Sequence, residues 1–185
     1  GGTILKNHEV IKINNKNNKI ESIICKAKGK NVEIKGDVFI SSMPIKDLIG
    51  GMNNVPKKVN YIASNLPYRD FITIGLILNN LKIKNKTKIK TINNNIPDCW
   101  IYVQSTDVKL GRIQVFNNWS PYLVKDYPNT ISLGLEYFCN ENDDFWKQTN
   151  EELLDNAVKE LQKMGIIESI DNVLKYHIEK VQKAY

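Results

Sequence analysis

Apolar and polar positions alternate in short runs from Glu9 to Lys35: EVIKI, KIESIICKA and VEIK, separated by the polar stretches NNKNN and KGKN. Alternation of period two puts successive side chains on opposite faces, so the runs predict strands and the Asn/Lys/Gly stretches predict the turns of an antiparallel meander. The next run, Val38 to Ser42 in GDVFISS, is apolar without alternation. That pattern predicts a strand covered on both faces in a larger sheet. Two helices follow, PIKDLIGGM with Pro44 in the permissive first turn, and a second from Pro56 to about Asn65.

After Pro67 the pattern changes. DFITIGLILNNL reads as a long apolar strand, followed by an Asn/Lys-rich loop to about Asp98 and by WIYVQ, RIQVFNN and TISLGLEYF, three further strands rich in aromatic and β-branched residues. TNEELLDNAVKELQKMG carries every local sign of a helix. Thr149 and Glu152 have capping-box spacing, Leu153, Leu154, Ala157, Val158, Leu161 and Met164 form one apolar stripe, and Gly165 stands where a left-handed C-terminal cap belongs. NVLKYHIEKVQKAY closes the chain as a strand. ENDDFW, from Glu141 to Trp146, lacks the spacing of a calcium loop, and its acids suit a helix N-terminus. The expected fold class is α+β. A small β-rich part joins, near residues 44–68, an antiparallel sheet from about 70 to 183 with the 149–164 helix on one face.

A chain of 185 residues holds one good core and part of a second, and 42% hydrophobic with 25% charged residues is an ordinary globular composition. No apolar run approaches the ~20 residues that would span a bilayer. The charge of +6 is spread as lysine among asparagine (NNKNNK, KIKNKTKIKT), without arginine or aromatic clustering, so no nucleic-acid partner is expected. Cys25, Cys99 and Cys139 are odd in number and far apart, which predicts neither disulfides nor a metal knuckle and suits a reducing, cytoplasmic compartment. His8 and His177 stand alone, so no metal is expected. GGTIL carries no initiator methionine or signal peptide and the chain stops just after a strand-like run, so it reads as a piece of a longer protein.

Self-sufficient chemistry is missing. No GxGxxG follows a strand, and there is no phosphate loop, GxSxG elbow or Cys with a plausible His partner; the catalytic residues are unknown. What the chain offers is an order of segments. GGTILKNHEVIKI, GDVFISSMPIKDL, WIYVQ, GRIQVFNNWSPYLVKD and LGLEYF together resemble the middle of the FAD-dependent amine oxidase superfamily, nearest its protoporphyrinogen-oxidase-like and UDP-galactopyranose-mutase-like branch, over nearly the whole chain. The resemblance implies an incomplete FAD-binding part in residues 1–45, the meander and return strand, and a substrate-binding domain in 46–185. It also implies that the Val10 backbone meets the adenine, and that Ser42, Met43 and Pro44, at the end of the Asp37 to Pro44 strand, pass the cofactor. Taken as residues alone, Val10 is also a core strand position, and Ser41, Ser42 and Met43 also a strand end whose hydroxyls satisfy local backbone groups.

Arg112 is one of the few arginines in a chain whose basic charge is otherwise lysine. It leads a strand that ends in an aromatic turn. The resemblance to eukaryotic UDP-galactopyranose mutases puts Trp100 and Tyr102 on an aromatic strand, Arg112 on an arginine that contacts the substrate diphosphate, and Asn118 and Trp119 in the turn that follows. A planar guanidinium grips phosphate oxygens bidentately and flanking aromatics stack a base or sugar, while the residues alone allow Arg112 to be a sheet residue packed on Trp119. YRDF, Tyr68 to Phe71, is a second cleft candidate or a packing element.

The expectation is the substrate-binding portion of a flavin-dependent enzyme, with a small anionic metabolite such as a nucleotide sugar as substrate and the rest of the parent flavoenzyme as partner. The family's dinucleotide-binding glycines belong before residue 1 and its flavin-closing segment after Tyr185, so FAD is expected in the parent and not tightly on this chain alone. The alternative is a non-enzymatic basic module for an anionic polymer or nucleic acid.

Overall fold

The structure, a computed structural model, describes residues 2–184. Gly1, the first of the Gly-Gly pair in the resemblance, lies outside the described residues. The chain divides into two compact units, Gly1–Pro67 and Tyr68–Tyr185.

The first unit opens with the antiparallel meander: β1 (Glu9–Lys16), β2 (Lys19–Ala27) and β3 (Lys30–Lys35), in the order β1-β2-β3. Both turns are short because both have residues able to take positive φ, Asn17 and Asn18 in one and Lys28 and Gly29 in the other. Ile13, Ile23 and Ile34 face one another across the three strands, and Ile13 is buried. Helices α1 (Ile45–Gly51) and α2 (Lys57–Ser64) begin after Pro44 and Pro56. A parallel bridge from Ile13 to Met52, and a hydrogen bond from Asn53 N to Asn15 Oδ1 (2.8 Å), tie the end of α1 to β1. The division between compact units therefore falls at Pro67, and residues 46–67 pack with the small sheet.

Val38 to Ser42 corrects the sequence reading. This segment is not a strand: Val38 is 80% and Ile40 96% exposed. A strand needs a ladder partner as well as apolar side chains. Among the described residues no other segment pairs with this one.

The second unit is a five-stranded sheet, all antiparallel, in the order β5-β6-β7-β4-β8: β4 (Asp70–Leu78), β5 (Trp100–Tyr102), β6 (Arg112–Val115), β7 (Ile131–Cys139) and β8 (Val173–Val181). The fold class is α+β, as the patterning implies. Ile72, Ile74, Leu76 and Leu78 of β4 alternate with half-buried residues, and together with Leu133, Leu135, Ile113 and Val115 they form a fully buried face. Helix α5 (Asn150–Lys163) covers it with Leu153, Ala157, Val158 and Leu161. The helix starts as expected: Thr149 Oγ1 accepts from Glu152 N and Glu152 Oε2 accepts from Thr149 N, at 3.2 and 2.8 Å. It ends at Gly165, with φ +71°.

The strand RIQVFNN stops earlier than its pattern implies. Phe116–Trp119 turns into a single helical turn, α3, because Asn117 replaces the ladder with its side chain: Nδ2 donates to Thr130 O and Oδ1 accepts from Ser132 N, both at 2.8 Å. The acids of ENDDFW start another short turn, α4 (Asp144–Lys147), with Asp143 before it. Among the described residues no group of three or more His, Cys, Asp or Glu could hold a metal ion, and no helix is long and apolar enough to cross a membrane.

Removing the Thr149 hydroxyl tests the capping box. Thr149→Ala should cost about 1 kcal/mol, read as a lowered urea midpoint with an unchanged slope.

Candidate functional site

The sheet of the second unit has a second face. The residues that alternate with the core, Phe71, Thr73, Ile77, Ser132 and Phe138, are half-buried where the α5 side is fully buried. Strand register places side chains here in rows. One row runs Tyr102, Arg112, Glu136, Thr73, Glu179, and its neighbour runs Trp100, Gln114, Gly134, Gly75, His177. Two adjacent glycines make a dip in the second row. Above Gly134 the dip is filled, since a Cβ there would lie 3.0 Å from the Phe116 ring; above Gly75 a Cβ would meet only the His177 carbonyl, at 3.7 Å.

Arg112 lies on this face, on β6, and is 8% exposed. A charge so deep needs compensation, and the register supplies it. Glu136, directly opposite on β7 and 5% exposed, forms an ion pair with Arg112 Nη2 through Oε2. Glu136 Oε1 accepts from Gln114 Nε2 at 2.5 Å, so charge, carboxylate and amide form one line across two strands. The guanidinium lies between two aromatic rings, 5.0 Å from the Trp100 centroid and 4.7 Å from Phe138. Phe138 can come this close because Gly111 lacks a side chain, and a Cβ there would lie 2.9 Å from the ring. Trp100 also meets Trp119 edge-on at 6.0 Å and Tyr102 at 6.3 Å.

The sequence candidates thus divide. Trp100, Tyr102, Arg112 and Trp119 come together, with Tyr102 and Trp119 exposed. Arg112 packs on Trp100 and Phe138. Asn118 has a fastening role, Nδ2 donating to Ile96 O (2.8 Å) and Asp98 O (2.9 Å), and Trp119 Nε1 donates to Cys99 O at 3.1 Å. In the YRDF segment, Asp70 accepts from the backbone N–H groups of Glu141 and Lys183, at 3.0 and 2.7 Å. Glu136, Gln114 and Phe138 escape sequence reading. The available signal was Glu136 itself, a lone carboxylate in the otherwise uncharged strand ISLGLEYFC.

The loop that delivers Gly111 and Arg112 is held from α5. Glu160 accepts from Lys109 N (2.6 Å) and Leu110 N (3.1 Å), and Lys163 Nζ lies 2.6 Å from Asp107 Oδ2. Hydrogen bonds from Lys163 and Ser105 hold the Asp107 carboxyl down at about 2. On the core side, burial raises the Tyr137 hydroxyl above its ordinary value, and burial followed by the nearby Asp143 charge raises the Cys139 thiol.

The cofactor candidates lie in the first unit. Val10, Ser42 and Met43 line one apolar pocket of about 350 Å³, together with Ile13, Ile23 and Phe39. Pro44 stands at the start of α1, its carbonyl accepting from Leu48 N at 2.9 Å. The pocket's polar groups are the Ser41 and Ser42 hydroxyls, and no charged side chain lines it. Such a lining fits a flat ring and does not fit a pyrophosphate.

Among solved structures, the chain is similar to a reduced UDP-galactopyranose mutase, with a TM-score of 0.63 and 20% identity over 99% of this chain and 36% of that one. It shares the fold of the matched part of that structure. Cyclohexylamine oxidase from Brevibacterium oxydans IH-35A is similar too, with a TM-score of 0.56 and 10% identity over 92% of this chain and 33% of that one. The chain therefore spans about a third of the length of these proteins. No protein-family model and no curated protein sequence matches it.

Two tests follow from the geometry. Glu136→Gln leaves the Arg112 charge buried without its counter-ion and should cost about 3–5 kcal/mol in urea denaturation, whereas Arg112→Met with Glu136→Leu should recover most of that loss. Asp107 titrates lower when folded than when unfolded, so its tether contributes fully above pH 4 and is lost as pH falls through about 2. Carbon-detected NMR titration of its carboxyl should give that midpoint in the native chain and a higher one in Lys163→Gln.

Proposed function

We propose that this chain is the substrate-binding portion of a flavin-dependent oxidoreductase or mutase-like enzyme, with residues 1–45 bordering the FAD. The observation that carries the reading is the second face of the five-stranded sheet. It has a fixed Arg112, Glu136 and Gln114 line, a dip at Gly75, and the rings of Trp100, Tyr102 and Trp119 alongside. A face of this kind seats a ringed small molecule by stacking and orients it by a few fixed polar groups. Bound flavin supplies the electron or covalent chemistry, and this chain supplies orientation. In this reading a ring of the cofactor rests against Val10, Ser42, Met43 and Pro44, and its pyrophosphate is held by residues of the parent enzyme outside this chain.

A nucleotide sugar is the favoured substrate class. Tyr102 and Trp119 offer exposed rings for a base, and Arg112 offers the fork that phosphate oxygens take bidentately. Because Glu136 already neutralises Arg112, an anion gains direction from the fork rather than net charge.

Titration of the full-length, flavin-loaded parent with UDP tests this. Arg112→Lys keeps the charge and loses the fork, and should weaken UDP by roughly 1–3 kcal/mol. Tyr102→Phe checks the phenol independently. Unchanged affinity in both variants would remove the nucleotide-sugar version and leave an uncharged substrate on the same face. The 185-residue chain purified alone should be colourless, with no flavin absorbance near ~450 nm. Stoichiometric FAD on this chain alone would refute the proposed division of the cofactor site.

A further inference from the structure

The connection between β4 and β5 carries a charge pattern that the proposed function does not use. From Asn79 to Pro97 there is no acidic residue, and lysines stand at alternate positions: Lys82, Lys84, Lys86, Lys88 and Lys90. Lys82 is paired with Glu168 at 3.1 Å. The other four are exposed, and none has a hydrogen bond or ion pair among the described residues. Between them stand two apolar side chains turned to water, Ile83 at 39% and Ile89 at 62% exposure.

This loop is built, not slack. Asn85 Nδ2 donates to Ile89 O (2.6 Å) and Thr91 Oγ1 (3.2 Å), and its Oδ1 accepts from Thr87 N at 2.8 Å. Thr87 Oγ1 in turn accepts from Ile89 N at 3.1 Å, and Asn85 N donates to Asn94 O at 2.9 Å. The backbone that carries the four lysines is therefore fixed before any partner arrives, which lowers the ordering cost of binding.

We propose that the 82–90 loop docks on an anionic lipid surface, with Lys84, Lys86, Lys88 and Lys90 against the headgroups and Ile89 inserted at their boundary. Four unpaired cations close together suit a negatively charged bilayer, to which each lysine adds an increment of attraction. The exposed isoleucines select this partner over nucleic acid. They contribute apolar burial in a bilayer, whereas a nucleic-acid surface would draw on arginine forks and aromatic stacking, and the loop has neither.

Vesicle co-sedimentation of the protein decides it, using vesicles of pure phosphatidylcholine and vesicles with about a third phosphatidylserine, a content that gives the leaflet its negative potential. Retention on the anionic vesicles, none on the neutral ones, and release by salt are expected. Lys84→Gln alone should lower affinity about fivefold, and the quadruple Lys84, Lys86, Lys88 and Lys90→Gln variant should lose retention. Thermal melts should stay unchanged, since these exposed side chains make no hydrogen bond or ion pair among the described residues. Ile89→Ser should weaken vesicle binding several-fold and leave binding to a DNA duplex as it was. Equal retention on neutral vesicles, full retention of the quadruple variant, no effect of Ile89→Ser, or tighter binding to the duplex than to anionic vesicles would each overturn the proposal.

Discussion

A guanidinium cannot sit almost out of water in the middle of a sheet without a carboxylate beside it. That constraint organises the second unit. The register that opposes β6 to β7 must bring Glu136 onto Arg112, and a slip of β6 by one residue would send Arg112 to the α5 side, away from Glu136. Gly111 must lack a side chain so that Phe138 can close over the guanidinium. The 105–110 loop must arrive at a fixed place, and Glu160 and Lys163 of α5 hold it there. The apolar face of the sheet thus fixes the helix, the helix fixes the loop, and the loop fixes the arginine.

The same constraint shapes what the second face can do. With Arg112 neutralised by Glu136 and fastened between Trp100 and Phe138, the face presents directed donors and acceptors within aromatic walls rather than a basic patch. Positive charge without a partner is found elsewhere, including the four lysines of an ordered loop. Site and surface charge are separate features, and the net charge of +6 describes only the second.

Legibility in the sequence follows how local each interaction is. The capping box, the Gly165 cap and the alternation of β4 rest on neighbours within a few positions, and pattern alone locates them. Val38 to Ser42 fails because apolar content signals burial but does not name a ladder partner. The run RIQVFNN fails at its end because Asn117 takes over backbone hydrogen bonds with its side chain, a choice that depends on Thr130 and Ser132 on another element. Arg112 is legible as unusual from its rarity and its aromatic company. Glu136 is not legible as its partner, because only the folded register brings β6 and β7 together.

The central claim is that Arg112 is immobilised by Glu136 inside the sheet, and side-chain NMR of the native protein tests it directly. Arg69, exposed, and Arg112 are the only two arginines, so their guanidinium signals are readily told apart. Arg112 is expected to show separate, slowly exchanging Nη proton resonances from hindered rotation, while Arg69 shows one averaged set. An Arg112 guanidinium that rotates as freely as that of Arg69 would contradict the account.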